Sequence, residues 1–423
     1  MNAVTESHYL LVPEVPNFVV EDADAYRQRA AAAGQAFLSA VDAIAPILRA
    51  GRDQSERECR VPNTSVDAMV EAGVFRAFTP LQYGGLELSP ADFFDGLMRI
   101  AQCDSSAAWI AGQIVCHNLE IASMDPLLHE DFWGVHGPDA RASSSYAPLG
   151  KAEKVEGGFV LNGRWTFSSG VDHAHYVVLG GGERNFLVPV SDLVIDHESW
   201  DVQGMRGTGS KALTATNVFV PVHRVHEMSD VINDINPGYQ TVKTPLYQGV
   251  SWMSVFYATA ANTVIGTAME AVNVFYEQSR NRFTKMGTGA RFAENPFLNL
   301  KLAESRTRMK DVRARTLNNW REIFDQACKG EPAPHQERLR VRYESADSFA
   351  ISFETVQDIW PMVGAVCSLS SNPMQYLYRN LMASRVHGTG GREASAVAYS
   401  RLLLGLPAPE FKVIDFGAAN YWR

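Results

Sequence analysis

The chain has 423 residues, 46% hydrophobic and 20% charged, and a formal net charge of −9. That is enough for two or three domains around a sizeable core, and the acidic balance argues against a nucleic-acid surface while allowing a local basic pocket for a phosphate. No apolar run approaches the length of a membrane span, and the opening MNAVTESHYLLVPEVPNF lacks the basic start and apolar core of a signal peptide.

Residues 1–20 read as an irregular arm with Pro13 and Pro16 close together. From Asp22 to Ala50, Phe37, Val41, Ile44 and Leu48 recur at four-three-four spacing and line one helix face. Pro62 starts a second helix that ends near Gly73, and a loop marked by Pro80 and Gly84-Gly85 follows. Ser89 and Pro90 open a third helix as N-cap and first residue. A fourth begins near Ser105, and its Trp109, Gln113 and His117, four residues apart, share a face. Everything to about Pro138 is helical.

The character changes at Ala140. Gly157-Gly158 turns between two short alternating runs, a hairpin signal. Tyr176–Leu179 and Phe186–Val190 form a second pair, and Leu213–Val220, closed by Pro221, is a third run. Period-two patterning makes residues 140–225 a small antiparallel β domain. Helical patterns return over Val250–Arg280, Pro296–Lys329, His335–Leu369, Pro373–Val386 and Glu393–Leu404, a long-helix bundle. The chain therefore divides into an N-terminal helical domain (1–138), a middle β domain (139–235) and a C-terminal helical bundle (236–423). The fold class is α+β.

The five cysteines are scattered and form no CxxC, so neither disulfides nor a thiolate metal site is expected and a reducing cytoplasm is the default. HExxH and P-loop signatures are missing, and no GxGxxG follows a plausible strand. An enzyme without a metal is expected.

Two serine clusters, Ser143-Ser144-Ser145 and Ser168-Ser169, flank a turn-rich β segment between the helical blocks, which suggests a small-molecule site at a junction. Three stretches sharpen this: SSSYAPLGKAEKVEGGFVLNGRWTFSSGVDHA, GMRGTGSKALTATNVFVP and RVHGTGG. Together with the α, β, α-bundle order they resemble the oxygenase components of two-component flavin-dependent phenol monooxygenases, group D enzymes with the acyl-CoA dehydrogenase fold. The resemblance runs from RVPNTSVDAMVEAGVFRAF to GLPAP.

The resemblance implies a reaction in which reduced FMN or FAD meets O2, a flavin C4a-hydroperoxide forms, and a phenolic or polycyclic aromatic substrate is hydroxylated ortho to its hydroxyl. A separate NAD(P)H-dependent flavin reductase is expected as partner, with no nucleic acid and no membrane, and the bundle implies a homotetramer. Residue by residue, Ser169 matches the hydroxyl near flavin N5, Trp109 a residue against the flavin, and His387 the histidine near the C4a oxygen adduct. Ser144 matches a hydroxyl that touches the substrate, and His117 the histidine beside its phenol. Arg280 resembles the arginine that reaches the cofactor phosphate.

Plainer roles stand beside these. A lone histidine on an apolar helix is as a rule a satisfied core residue. His387 can cap a turn, Ser144 and Ser169 can bond their own backbone, and Arg280 and Arg282 can serve as cations at a helix C-terminus. Asp172 and His173 extend the polar network or sit in a surface turn, and Arg206–Ser210 reads as a tight β connection. An N- or S-oxygenase on the same fold is the alternative. An acyl-CoA dehydrogenase is disfavoured, because SSNPMQYLYRNLMASRVHGTGG offers no clear glutamate base. KTPLYQGVSWMSVFY has no arginine for a substrate carboxylate, which favours a neutral aromatic substrate, and the tail FKVIDFGAANYWR departs from the family ending.

Overall fold

The computed structural model describes residues 17–227, 230, 235–280, 282–283 and 291–406. Most of the proposed arm, much of the loop after Arg280 and the whole tail FKVIDFGAANYWR lie outside those residues.

The N-terminal half is built on α1 (Ala23–Glu58), α2 (Asn63–Glu71), α3 (Pro90–Cys103), α4 (Ser105–Ser123) and the single turn α5 (Pro126–His129). Phe37, Val41, Ile44 and Leu48 are buried as their spacing predicts, and α1 packs on α3. By length and composition α1 is also the one described helix able to cross a membrane. That corrects the expectation that no run comes close, because its many alanines raise hydropathy without looking like a lipid-facing segment. Ser89 stands at the N-cap position of α3 but its hydroxyl makes no cap bond; its carbonyl instead accepts from the Asp92 and Phe93 amides.

Among the described residues, eight strands form two four-stranded sheets. The first has the order β1 (Ala142–Ser145), β4 (Tyr176–Gly181), β5 (Arg184–Pro189), β8 (Val225–Glu227), and the second the order β2 (Lys151–Val155), β3 (Gly158–Ser168), β7 (Lys211–Pro221), β6 (Val194–Asp196). Val155 pairs with Gly158 across the predicted hairpin turn. All pairings are antiparallel except β1 with β4, which run parallel. Parallel neighbours need a crossover, and here the β2–β3 hairpin of the other sheet supplies it. Phe159, Leu161, Trp165, Phe186 and Val188 belong to a separate apolar cluster of the β region.

The C-terminal half contains the short α6 (Pro245–Gly249) and then α7 (Trp252–Arg280), α8 (Pro296–Ala327), α9 (His335–Val363), α10 (Pro373–Arg385) and α11 (Arg392–Leu403). The sequence pattern carried α9 on to Leu369, but it stops at Val363 because Gly364 takes φ 77°. The positive φ itself disfavours any other residue there; a Cβ would also come within 2.9 Å of Arg282 Nη2, the tip of a side chain that would have to shift. Helix α7 packs against α3, α4 and α9, so the N-terminal helices and the bundle share one core.

Candidate active site

Helix α4 positions the site. Asp104, the single residue between α3 and α4, accepts from the Ser106 and Ala107 amides at 2.8 and 3.2 Å, and Tyr376 donates to the same oxygen at 3.1 Å. Burial still lifts its carboxyl to about 6. Every residue from Ser105 to Ser123 is buried, the behaviour of a helix enclosed by protein on all sides. Polar side chains on such a helix need partners or a function. Trp109 and His117 are eight residues apart, about 12 Å along the axis, and each gathers its own set of groups.

At the Trp109 end, the indole N–H donates to Ser169 Oγ at 3.1 Å. Ser169 Oγ is 2.8 Å from Ser210 Oγ, which is 2.7 Å from Thr208 Oγ1, and Thr208 donates to the Met205 carbonyl at 2.8 Å. Ser169 is aimed here by the end of β3, whose pairing with β7 slips between Trp165 and Ser168. Phe167 in that slip adopts φ 63°. Such bulges re-aim side chains at the rims of sheets. His387 sets its ring edge-on to Trp109, with centroids 5.1 Å apart at 88°. Its Nδ1 is 2.8 Å from Thr389 Oγ1 and accepts from the Thr389 amide, so it caps the turn while its ring stands against Trp109. Desolvation pulls its pKa down to about 4, and the ring is neutral at neutral pH.

The direction of each proton in this chain follows by counting. Thr208 spends its only hydroxyl hydrogen on the Met205 carbonyl, so Ser210 donates to Thr208 and Ser169 donates to Ser210. Ser169 also accepts from Trp109, which leaves it one lone pair and no hydrogen. That open valence suits an N–H donor, as N5 of a reduced isoalloxazine is, and not the bare N5 of the oxidised ring. His387 retains Nε2 for a ligand. These residues fit a reduced flavin. Arg280 stands exposed at the last residue of α7, and no described contact links it to the Trp109 group. Arg282 is tied to the Val363 carbonyl and lies over Phe292.

At the His117 end the groups are charged and enclosed. His117 Nδ1 is 3.2 Å from Glu120 Oε2 and 3.0 Å from the Tyr146 hydroxyl. Tyr146 donates to that same Glu120 oxygen in a short hydrogen bond. Asn185 donates to Glu120 Oε1 at 3.5 Å, and His226 Nδ1 lies 3.6 Å from it. Burial raises the Glu120 carboxyl, but a hydrogen bond from His117 and charge from His117 and His226 outweigh it and hold the pKa at about 2. Burial and the Glu120 charge push the Tyr146 phenol well above its ordinary value. His117 is 0% exposed, and its Nε2 is buried with no partner among the described residues. Around it stand Tyr146 and Phe256, ring centroids 5.8 and 6.4 Å away, with Trp252 next to both.

The serine clusters divide by strand alternation. Ser143 bonds Ser168 Oγ and the Ser169 carbonyl, and Ser145 donates to the Thr166 carbonyl at 2.7 Å, so these two staple β1 to the end of β3. Ser144 points the other way, half-buried, beside the Tyr146 hydroxyl. Asp172 forms a buried ion pair with Lys211 at 2.7 Å, and His173 Nε2 meets the Val61 carbonyl at 2.9 Å; both serve the scaffold. Arg206 bonds the Glu56 and Val202 carbonyls, while Thr208 and Ser210 of the same motif build the hydroxyl chain.

The structure thus brings Trp109, Ser169 and His387 together and sets His117 and Ser144 around Tyr146. Sequence reasoning missed Tyr146, Glu120, His226, Thr208 and Ser210. Glu120 had a signal, a carboxylate one turn after a histidine in an otherwise apolar helix. His226, on a three-residue strand far along the chain, had none.

Residues 258–389 match the family model described as acyl-CoA dehydrogenase, C-terminal domain. The chain is 31% identical over 382 residues to the flavin-dependent monooxygenase oxygenase subunit HsaA of Rhodococcus jostii (strain RHA1), covering 88% of this chain and 99% of that protein. It is 28% identical over 383 residues to the p-hydroxyphenylacetate 3-hydroxylase oxygenase component of Acinetobacter baumannii, covering 88% and 90%. The crystal structure of the 3-HSA hydroxylase from Rhodococcus sp. RHA1 superimposes with a TM-score of 0.82 at 32% identity, covering 88% of this chain and 97% of that one. With its acyl-CoA dehydrogenase-like fold and a likeness that covers 88% of its length, the chain belongs to the oxygenase subunits of the flavin-dependent monooxygenases.

Proposed function

We propose that this protein uses reduced FMN or FAD and O2 to hydroxylate a neutral phenolic or polycyclic aromatic substrate ortho to its hydroxyl. The observation that carries the reading is the unpartnered, buried Nε2 of His117 within an aromatic surround. A buried imidazole nitrogen left open amid Tyr146, Phe256 and Trp252 is the pattern of a base awaiting a flat aromatic acid. Bound reduced flavin supplies the electrons that activate O2 as an electrophilic oxygen donor at C4a. The chain's residues do the rest. Ser169 would offer a lone pair to N5–H, Trp109 and His387 would stand against the ring, and Arg280 would offer its charge to the phosphate. His117 draws the phenolic proton, because a phenolate ring attacks electrophilic oxygen more readily, and Ser144 orients the hydroxyl beside Tyr146. Enclosure by α4 and its neighbours keeps water from the reacting atoms.

The buried Glu120 carboxylate would repel an acidic substrate, which supports a neutral one. A partner flavin reductase dependent on NAD(P)H is part of the proposal, since the chain shows no dinucleotide fingerprint of its own. Five free cysteines fit a cytoplasmic setting. Exposed Val386, Val397, Leu403 and Leu404, on and just past the last two helices, support self-association, which the proposal takes to be a homotetramer.

The test is a stopped-flow mix of the protein with reduced flavin and O2 across a panel of phenols. A transient that decays faster with one phenol, yielding the ortho-hydroxylated product, is expected. Peroxide formation alone with every phenol, or turnover of sulfides and amines undiminished in His117→Ala, would overturn phenol hydroxylation in favour of heteroatom oxygenation.

A further inference from the structure

We propose that Glu120 is the positioning residue for His117: a buried carboxylate held between two histidines, it keeps the His117 proton on Nδ1 and leaves Nε2 as the base. The inference rests on the proposed function and adds a residue that the motifs of the chain do not mark.

Proton counting carries it. Glu120 is ionised and can only accept. Tyr146 has a single hydroxyl hydrogen and gives it to Glu120 Oε2. His117 Nδ1 therefore faces two oxygens, the carboxylate at 3.2 Å and the phenol at 3.0 Å, neither with a hydrogen to offer. Two acceptors fix a donor between them, so Nδ1 bears the hydrogen. In the neutral ring Nε2 then holds the lone pair, and this is the nitrogen with no partner. Were Glu120 absent, Tyr146 would be free to donate to Nδ1 instead. The hydrogen would move to Nε2 and the base would be lost.

Charge supports the same role. The described groups that contact Glu120 are His117 from its own helix, Tyr146 after β1, Asn185 from β5 and His226 from β8. Cys116 on α4 stands close to Tyr146 and is itself held protonated by burial. None of these is a lysine or arginine. The Glu120 carboxylate, 3.2 Å from His117 Nδ1, stands where it can pair with the imidazolium that proton transfer creates. When His117 takes the substrate proton, the phenol O–H bond breaks, an Nε2–H bond forms and the electron pair stays on the phenolate oxygen. The imidazolium is then paired with the Glu120 carboxylate, and no electrons leave the pair. His226 Nδ1 lies 3.6 Å from the far oxygen, near enough to feel its charge but not hydrogen-bonded to it.

The experiment uses the full chain without flavin, with p-nitrophenol as a coloured probe and nitrogen-15 NMR of the histidines. Wild-type His117 should show hydrogen on Nδ1 and a bare Nε2, and bound p-nitrophenol should be largely ionised. Glu120→Gln should lower the ionised-to-neutral ratio of the bound probe about tenfold or more, the effect of removing an adjacent opposite charge. Its Kd for p-nitrophenol should weaken by less than the ratio falls, because only the ionised bound form is disfavoured. Glu120→Asp, which keeps the charge, should restore most of the ratio. An Nε2–H tautomer in the wild-type protein, or an unchanged ratio in Glu120→Gln, would overturn the proposal. The wild-type spectrum decides the matter alone if the Gln variant does not fold. Failure of the proposed function reads differently: no binding of p-nitrophenol, or ionisation that survives His117→Ala.

Discussion

The two ends of helix α4 solve different problems with different chemistry. At the Trp109 end every group is uncharged: an indole, three hydroxyls in a chain and an imidazole that desolvation keeps neutral. At the His117 end a carboxylate is buried at 0% exposure and held ionised by two imidazoles and a phenol. Oriented hydroxyls can fix which valence a neutral ring meets without adding charge, whereas proton transfer needs a counter-charge for the imidazolium it creates. One buried helix keeps the two a fixed distance apart, so each can be altered without moving the other.

The largest break in that comparison should come from His117→Ala. Loss of a general base costs about 10²–10⁴ in rate, so phenol hydroxylation should fall by that order while the Kd for reduced flavin, measured anaerobically, stays within a few-fold. A comparable loss of flavin affinity would mean the two ends are not separate. Next is Ser169→Ala, which removes one hydrogen bond worth about 0.5–1.5 kcal/mol. Affinity for reduced flavin should drop up to about tenfold, with p-nitrophenol binding at the other end unchanged.

Thr208→Val probes the hydroxyl chain at a distance. Freed of its acceptor at Thr208, Ser210 can donate to Ser169, and Ser169 regains a hydrogen for a ligand. Binding of oxidised flavin should strengthen relative to reduced, shrinking the preference by a few-fold on the scale of one neutral hydrogen bond. An unchanged preference would remove the proton-direction argument. The last prediction concerns stability. His387, His173 and His175 all sit near 4 in the folded chain against an ordinary 6.5, because burial disfavours their charged forms. Below pH 6.5 the unfolded chain takes up protons that the folded one refuses, so stability falls as pH drops from 6.5 towards 4. Glu120 adds a loss of the same sign in a lower window, since the unfolded chain again binds the extra proton. Its depressed pKa makes its contribution full above about 4.5 and lost only as pH falls towards 2. A thermal scan should therefore show Tm declining between pH 6.5 and 4, and His387→Gln should flatten part of that slope.

Much of the fold was legible because its signals are local. The face Phe37–Val41–Ile44–Leu48, the Gly157-Gly158 hairpin and the Pro-started bundle helices depend on periodicity and turn chemistry over a few residues. The parallel pairing of β1 with β4 was not, since pairing partners 34 positions apart, Ala142 with Tyr176, leave no trace in either strand. In the site, residue type and motif marked Trp109, His117, Ser144, Ser169 and His387. Their partners came from elsewhere: Tyr146 from a loop, His226 from a short strand, Thr208 and Ser210 from a turn that reads as a plain connection.

By itself the sequence determined the α, β, α-bundle order, the family motifs and the apolar helix on which Trp109 and His117 share a face, because each is written in neighbouring residues. Only the tertiary structure decided that one serine of each cluster faces the site while the others staple strands. It also decided that a carboxylate from α4 is held between histidines of a helix and a sheet. Hydrogen-bond direction and the balance of a buried charge depend on every group that converges on an atom, and those groups meet only when the chain has folded.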